Sequence, residues 1–256
     1  MIILKSKEEI DKIRTACSIV VEALKEMSSK VEDGISTYDL DRIAEQIALK
    51  HNAKPAFKGY RGYPSSVCFA LNQEVVHGIP SNKTILRNGD ILGMDFGILK
   101  DGYYGDSALT VPVGAITDSA RKLLDVTKRS LYKGIEKAKA KNKLFDISKA
   151  IQDYVESNGY SVVKTFVGHG IGTKLHEDPQ VPNFVPSNGN WGKGIVLKTG
   201  MVIAIEPMVN IGKGDVKILK DGWTAVTIDG SLSAHFEHTV AITQNGPEIL
   251  TEYSIN

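Results

Sequence analysis

Four stretches of the chain carry apolar residues at helical spacing. The first begins at a capping box at residues 6–9, and the second begins at Ser36. The third is capped by Thr117 or Asp118, and the fourth ends at the Asn-Gly pair 158–159, a typical helix C-terminus. The pattern therefore predicts four helices, with strands, glycine-rich turns and loops in the remainder.

Ahead of the third helix, a glycine-rich stretch predicts two short strands joined by a tight turn. Asp95 precedes the turn and Asp106 follows it. A two-residue loop at Lys100-Asp101 would place the two carboxylates directly opposite each other. A loop at Asp101-Gly102 would make them diagonal neighbours, and both registers put them on one face of the hairpin.

Two carboxylates so close together repel each other. A half-buried carboxylate without a partner costs on the order of several kcal/mol. Two interpretations are open for Asp95 and Asp106. Either one caps a turn while the other is solvated, or a divalent cation lies between them.

An internal repeat links the two halves of the chain. Residues 85–95 are echoed by residues 196–206, with apolar positions, a basic residue, a glycine and a final carboxylate in register. The second and fourth predicted helices echo each other as well. The repeat predicts duplicated halves, each with two helices and an antiparallel strand set, unless the similarity between strand-forming segments is due to chance. A pseudo-twofold axis between the halves would bring Asp95 and Glu206 together.

Composition excludes several classes of function. The 256 residues are 42% apolar and 24% charged, which is ordinary for a globular protein, and the net charge is +1. A net charge this close to zero does not indicate a surface that binds nucleic acid or a membrane. Two cysteines in no paired framework suit a reducing compartment, and no apolar run has the length of a signal peptide or membrane span. We therefore expect a cytoplasmic protein.

Three further candidate metal ligands follow in the second half. His169 is flanked by glycines, which suits a backbone close to a ligand or metal, and Glu206 and Glu237 come later in the chain. Together with Asp95 and Asp106 they make four carboxylates and one imidazole. This donor set suits two divalent first-row ions that share bridging carboxylates. Each residue alone is more often structural or solvated, but the ordered set predicts a dinuclear metal site.

Eight motifs extend over essentially the whole chain, at residues 60–64, 72–80, 101–106, 168–172, 176–181, 205–209, 220–224 and 231–234. Together they resemble the motifs of type I methionine aminopeptidases in their short bacterial form. The resemblance implies an α+β pita-bread (creatinase/aminopeptidase) fold, in which pseudo-twofold halves form a curved antiparallel sheet backed by helices. It also implies a single catalytic domain over residues 1–256, with halves at about 1–115 and 116–256.

The same resemblance implies a metal-dependent aminopeptidase that removes the initiator methionine when the second residue is small. One metal ion would be bound by Asp95, Asp106 and Glu237. The other would be bound by Asp106, His169, Glu206 and Glu237. Sites of this kind accept Co, Mn, Fe and Zn, so the cellular metal is not predicted.

Catalytic roles also follow from the resemblance. Glu206 would be the base that takes a proton from a metal-held water, and His176 would stabilise the tetrahedral intermediate at the carbonyl oxygen. His77 would contact the nitrogen of the scissile amide. Strand alternation, rather than the resemblance, places His235 on the same strand face as Glu237 and so beside the ligands, whereas His238 should point the other way.

A compact apolar pocket would select methionine. Its matching positions are Phe57, Tyr60, Tyr63, Cys68, Leu175 and Trp223. Well-known bacterial members carry Cys in place of Phe57 and Phe in place of Leu175. Both positions stay apolar here, and sulfur and aromatic walls suit a flexible thioether.

Two rival interpretations remain. A proline dipeptidase or aminopeptidase P shares the metal set but usually carries a substantial extra N-terminal domain. A non-catalytic binding relative would lose ligands, whereas all five positions are intact here. The expected partners are N-termini of nascent polypeptides, bound by a monomer, and contact with the ribosome is left open. The loop at 182–194 has no assigned role.

Overall fold

The computed structural model describes residues 1–186 and 194–253. Residues 187–193 of the loop noted above lie outside the described residues. The helices are α1 (Lys7–Lys30), α2 (Thr37–Lys50), α3 (Asp118–Ile135) and α4 (Leu144–Ser157). The strands are β1 (Lys54–Pro55), β2 (Val67–Leu71), β3 (Glu74–Val76), β4 (Ile91–Lys100), β5 (Tyr103–Pro112), β6 (Ser161–Val162), β7 (Gly168–Gly170), β8 (Glu177–Val181), β9 (Val202–Ile205), β10 (Met208–Asn210), β11 (Val216–Ile218), β12 (Ala225–Thr227), β13 (Ser233–His235), β14 (His238–Thr243) and β15 (Gly246–Ile249).

All four predicted helices are present, and local capping explains where three of them begin. The hydroxyls of Ser6 and Ser36 accept hydrogen bonds from the N–H groups of Glu9 and Asp39, whose carboxylates accept from the serine N–H groups in return. Thr117, the first of the two candidates, caps α3. Such caps satisfy N–H groups that have no partner inside the helix. None of the described helices combines the length and apolarity needed to span a membrane.

The predicted hairpin is formed by β4 and β5. Its turn residues Asp101 and Gly102 have φ of 49° and 82°, the two positive values that a tight type I′ turn requires. Lys100 therefore pairs with Tyr103, and Asp106 pairs with Gly97. This register makes Asp95 and Asp106 diagonal neighbours on one face, which decides between the two alternatives.

The duplication is confirmed by matching contacts in the two halves. Ser36, the N-cap of α2, forms a β-bridge with Ile85, and Lys143, at the start of α4, forms the equivalent bridge with Val196. Each bridge lies just ahead of a repeated strand. In the first half, β4 pairs with β1, β2 and β5, and in the second β9 pairs with β7 and β14. All of these pairings are antiparallel.

The two halves meet where β5 runs beside the segment between β13 and β14. The N–H of Glu237 donates to the carbonyl oxygen of Ala108 at 2.8 Å, and the Ser107 hydroxyl donates to the carbonyl oxygen of Glu237 at 2.6 Å. The Thr239 hydroxyl donates to the carbonyl oxygen of Asp106 at 2.7 Å. These bonds hold Asp106 of one half against Glu237 of the other, and one hydrophobic core continues through both halves.

Candidate active site

A single cavity of about 160 Å³ is lined by every candidate site residue of the sequence analysis. The residues are Phe57, Tyr60, Tyr63, Cys68, His77, Asp95, Asp106, His169, Leu175, His176, Glu206, Trp223 and Glu237. Arg61 lines the cavity too, although sequence analysis assigned it no role. Its guanidinium lies 5.4 Å from the centre of the Tyr60 ring, at the position between the two tyrosines of the 60–64 motif.

Five strands or strand ends bring the candidate ligands together. Asp95 lies on β4, Asp106 on β5, His169 on β7, Glu206 directly after β9 and Glu237 directly before β14. The Nε2 atom of His169 is 4.0 Å from Oδ2 of Asp106 and 3.6 Å from Oε1 of Glu206. One ligand atom each of Asp106, His169 and Glu237 lie within 4.8 Å of one another. The cluster has the size and donor types of a metal site.

Three carboxylate oxygens of this cluster have no hydrogen-bond partner in the part of the chain that the structure describes. Among the described residues, Oδ1 of Asp95, Oδ1 of Asp106 and Oε1 of Glu237 are buried without a hydrogen bond. Burial raises the pKa of Asp106 to about 7, and burial together with neighbouring carboxylates raises the pKa values of Asp95, Glu206 and Glu237 well above their ordinary values. Buried anions without partners are strongly destabilising. A divalent cation would satisfy these oxygens, so the residues present fit one.

The protonation of His169 also suits a ligand. Its Nδ1 lies 2.9 Å from the carbonyl oxygen of Gly170, which can only accept, so Nδ1 carries the proton and the Nε2 lone pair faces the carboxylates. Burial lowers the pKa of His169 to about 4, which keeps the ring neutral near pH 7.

The glycines around His169 lie where neighbouring strands come close to the backbone of β7. A Cβ atom on Gly168 would overlap the carbonyl oxygen of Ala204, and one on Gly170 would overlap the carbonyl oxygen of Asp178. Close backbone approach of the neighbouring strands therefore requires these glycines.

His176 lies next to the candidate ligand cluster. Its ring centre is 4.2 Å from that of His169, and its Nδ1 is 2.8 Å from the Tyr60 hydroxyl. Burial, followed by the charge of His169, lowers the pKa of His176 to about 3. The ring is therefore neutral near pH 7, and when the Tyr60 O–H donates to Nδ1 the proton of the ring is on Nε2.

His77 lies on another wall of the cavity. Its φ is 64°, in the left-handed region that non-glycine residues rarely adopt. Its ring packs edge-to-face against Phe166 at 5.3 Å and Trp223 at 6.5 Å. Burial lowers its pKa. Backbone strain of this kind is concentrated at functional sites.

The apolar part of the cavity is a closely packed pocket. The Tyr63 hydroxyl lies 2.9 Å and 2.8 Å from the carbonyl oxygens of Val67 and Gly78, and its ring meets Trp223 edge-to-face at 5.1 Å. A Cβ on Gly97, opposite Asp106 in the hairpin, would lie 2.8 Å from the Phe57 ring. The hairpin therefore makes room for the aromatic wall.

Two further histidines lie near the cluster with different orientations. The Nε2 of His235 is buried 3.9 Å from Oε2 of Glu206, as expected for a residue beside the ligands. The ring of His238 contacts Tyr132 and Thr251 instead.

Comparison with known proteins identifies the family. The sequence model of metallopeptidase family M24 matches residues 11–244. The chain belongs to metallopeptidase family M24. A methionine aminopeptidase of Clostridium perfringens is 55% identical over 251 residues, 98% of this chain and 99% of the relative. Among solved structures, the crystal structure of a methionine aminopeptidase from Thermotoga maritima matches with a TM-score of 0.95 and 45% identity, covering 99% of this chain and all of that one.

A second kind of solved structure matches with a lower TM-score. A prolidase from Pyrococcus furiosus has a TM-score of 0.78 and 25% identity, and the match covers 99% of this chain but 66% of the prolidase. Membership of M24 implies the use of a divalent metal. The pita-bread fold expected from the sequence is confirmed by both structures.

Proposed function

We propose that this M24 protein is a methionyl aminopeptidase, a hydrolase that removes the N-terminal methionine from peptides and nascent proteins. The observation that carries the proposal is one cavity lined by both a five-residue ligand cluster and an apolar sulfur and aromatic pocket. Near full-length similarity to methionine aminopeptidases supports the same substrate. Residues 1–256 would form one catalytic domain.

Two divalent ions would be held by the cluster. Asp95, Asp106 and Glu237 would bind one ion, and Asp106, His169, Glu206 and Glu237 would bind the other. The buried oxygens without hydrogen-bond partners support this assignment. When bound, such ions supply Lewis-acid activation of a water and of the scissile carbonyl. Co, Mn, Fe or Zn would suit the donor set.

The chain's own residues would move the protons. Glu206 would act as the base that takes a proton at Oε1 or Oε2 and passes it to the departing amine. His176 would donate from Nε2 to the oxygen of the scissile carbonyl, because Nδ1 is bonded to the Tyr60 hydroxyl. His77 would contact the nitrogen of the scissile amide.

The substrate side chain would fill the apolar pocket. Phe57, Cys68, Leu175 and the rings of Tyr63 and Trp223 would surround the thioether, which suits polarizable sulfur and aromatic contacts. The free α-amine of the substrate would then lie beside the carboxylates. An internal peptide bond offers no such amine, which explains an exopeptidase. We expect a small second residue to be preferred.

A panel of short peptides tests the proposal. Met-Gly-x, Met-Leu-x, Gly-Pro and x-Pro substrates would be assayed with and without a chelator. We expect cleavage of Met-Gly-x that stops when metal is removed, and slower cleavage of Met-Leu-x. Hydrolysis of x-Pro bonds without methionine release would favour the proline-specific rival, and binding of peptides without hydrolysis would favour a non-catalytic relative.

A further inference from the structure

The first five residues of the chain lie against the turn that carries His176. The Lys5 N–H donates to the carbonyl oxygen of Gly200 at 2.7 Å, and the Met1 amine forms an ion pair with Asp178. A Cβ on Gly200 would lie 2.9 Å from the carbonyl oxygen of Lys5, so the segment is pressed against the second half of the molecule.

Lys5 and Glu177 form a buried ion pair at this contact. The Nζ of Lys5 is 2.5 Å from Oε2 of Glu177, and both side chains are 3% exposed. Among the described residues, this is the most deeply buried pair between a lysine or arginine and a carboxylate. The Lys5 ammonium also donates to the carbonyl oxygen of Ile3 at 3.0 Å.

The second oxygen of Glu177 closes the turn. Its Oε1 accepts from the N–H of Lys174 at 3.1 Å and from the Thr173 hydroxyl at 3.4 Å. A Cβ on Gly172 would lie 2.5 Å from Cε of Lys5, so a glycine there lets the lysine reach the carboxylate. One carboxylate therefore ties the turn at residues 172–177 to the N-terminal segment.

The place of Glu177 links this pair to the site. It directly follows His176, and it pairs across β7 and β8 with Gly170, the neighbour of His169. A buried ion pair is an inefficient source of stability, because desolvation of the two charges offsets their attraction. Its directional bonds do, however, fix the backbone on which the His176 ring is placed.

We propose that the Lys5–Glu177 pair positions His176 for the reaction, which makes the N-terminal segment part of the catalytic architecture. Lys5 and Glu177 are positioning residues, since neither lines the catalytic cavity. The inference rests on the proposed function and on the role proposed for His176.

A double-mutant cycle tests the inference. Lys5→Met removes the ammonium with little change of side-chain volume. The kcat for a Met-Gly-x peptide at saturating metal should then fall by about 10- to 100-fold, because a catalytic group misplaced by 1 Å can lower the rate about 100-fold. KM should change little. In a His176→Ala background the same substitution should have no further effect, since residues that act through one group are not additive.

Matched variants separate positioning from folding. Lys7→Met removes an exposed lysine two residues away and should leave kcat unchanged. Glu177→Asp and Lys5→Arg keep both charges but alter their reach. We expect Glu177→Asp to lower kcat with a Tm close to that of the wild type, and Lys5→Arg to recover part of the activity lost in Lys5→Met. These variants keep the inference testable if Lys5→Met fails to fold.

The outcomes are distinguishable. Equal loss from Lys5→Met in both backgrounds, an effect on KM alone, or wild-type kcat in both Lys5→Met and Glu177→Asp would overturn the inference while leaving the proposed function intact. Full activity of His176→Ala would overturn both the inference and the role proposed for His176. Absence of methionine release by the wild type would overturn the proposed function itself.

Discussion

Substitution of Asp106 by asparagine should stabilise the metal-free protein while abolishing its activity. Asp106 is buried in a cluster of carboxylates, and its pKa is raised from 3.8 to about 7 by burial. Asparagine has nearly the same shape and no charge. It therefore removes the unfavourable anion from the empty cluster, and it also removes the proposed bridging ligand.

The size of the stabilisation follows from the pKa. The change in the pKa of Asp106 from 3.8 to about 7 corresponds to a destabilisation of the folded state by about 4 kcal/mol at most. A carboxyl with a higher pKa in the folded state does not destabilise the fold below about pH 4, where it is protonated in both the folded and the unfolded state. Its full destabilisation is reached above about pH 7. The advantage of Asp106→Asn should therefore grow from pH 5 to pH 8. For a chain of this size, 4 kcal/mol corresponds to about 8–16 °C in Tm as an upper limit.

Thermal unfolding of chelator-treated protein at pH 5, 6, 7 and 8 measures this effect. Asp153→Asn is the control, because Asp153 is exposed and pairs with Lys149 on the surface of α4. Exposed pairs of this kind contribute about 0.5 kcal/mol or less. Release of methionine from Met-Gly-x by metal-loaded protein gives the activity of each variant.

Two results would refute this reasoning. One is a metal-free Asp106→Asn protein that melts no higher than the metal-free wild type at pH 8, or whose advantage is the same at pH 5. The other is near-normal activity of the variant with metal, which is incompatible with a carboxylate shared between two ions.

Three further predictions follow from the site and the core. Mn²⁺ should raise the Tm of metal-depleted wild type more at pH 8 than at pH 5.5, because the raised pKa values keep the carboxylates protonated at lower pH. Scanning fluorimetry measures these Tm shifts, and equal shifts at both pH values would contradict the prediction. Phe57→Ala should raise KM for Met-Gly-x about 10-fold or more with a smaller effect on kcat, since a pocket wall is lost. Unchanged steady-state kinetics would show that Phe57 does not contribute to substrate binding. Gly105→Ala should lower the free energy of unfolding by about 1–3 kcal/mol, because the alanine Cβ would lie 2.6 Å from the backbone nitrogen of Cys17 in α1. Urea titration measures this change, and wild-type stability of the variant would show that α1 can shift freely.

Local signals made much of the fold predictable. Helix caps such as those at Ser6 and Ser36 act within four residues, and the Asp101-Gly102 turn sets the register of its own hairpin. The internal repeat added a relation between the two halves of the chain, which local signals alone do not provide. Because β4 and β9 occupy equivalent places in the two halves, the repeat correctly placed Asp95 and Glu206 in one cavity.

Other features depend on neighbours that are distant in sequence. Lys5 and Glu177 are 172 residues apart, and no periodicity or turn signal relates them. Gly168 is required by the carbonyl oxygen of Ala204 in β9, and no local signal in the sequence indicates this contact. Arg61 was missed because its place at the cavity depends on how the 60–64 motif lies relative to His169 and His176. Its position between two pocket tyrosines was the signal available in the sequence.

Anomalous X-ray diffraction from crystals of active protein containing Mn²⁺ tests the central claim most directly. The account predicts two anomalous peaks among Asp95, Asp106, His169, Glu206 and Glu237, and loss of methionine release when a chelator removes both ions. Peaks elsewhere in the molecule, or full activity of metal-free protein on Met-Gly-x, would contradict it.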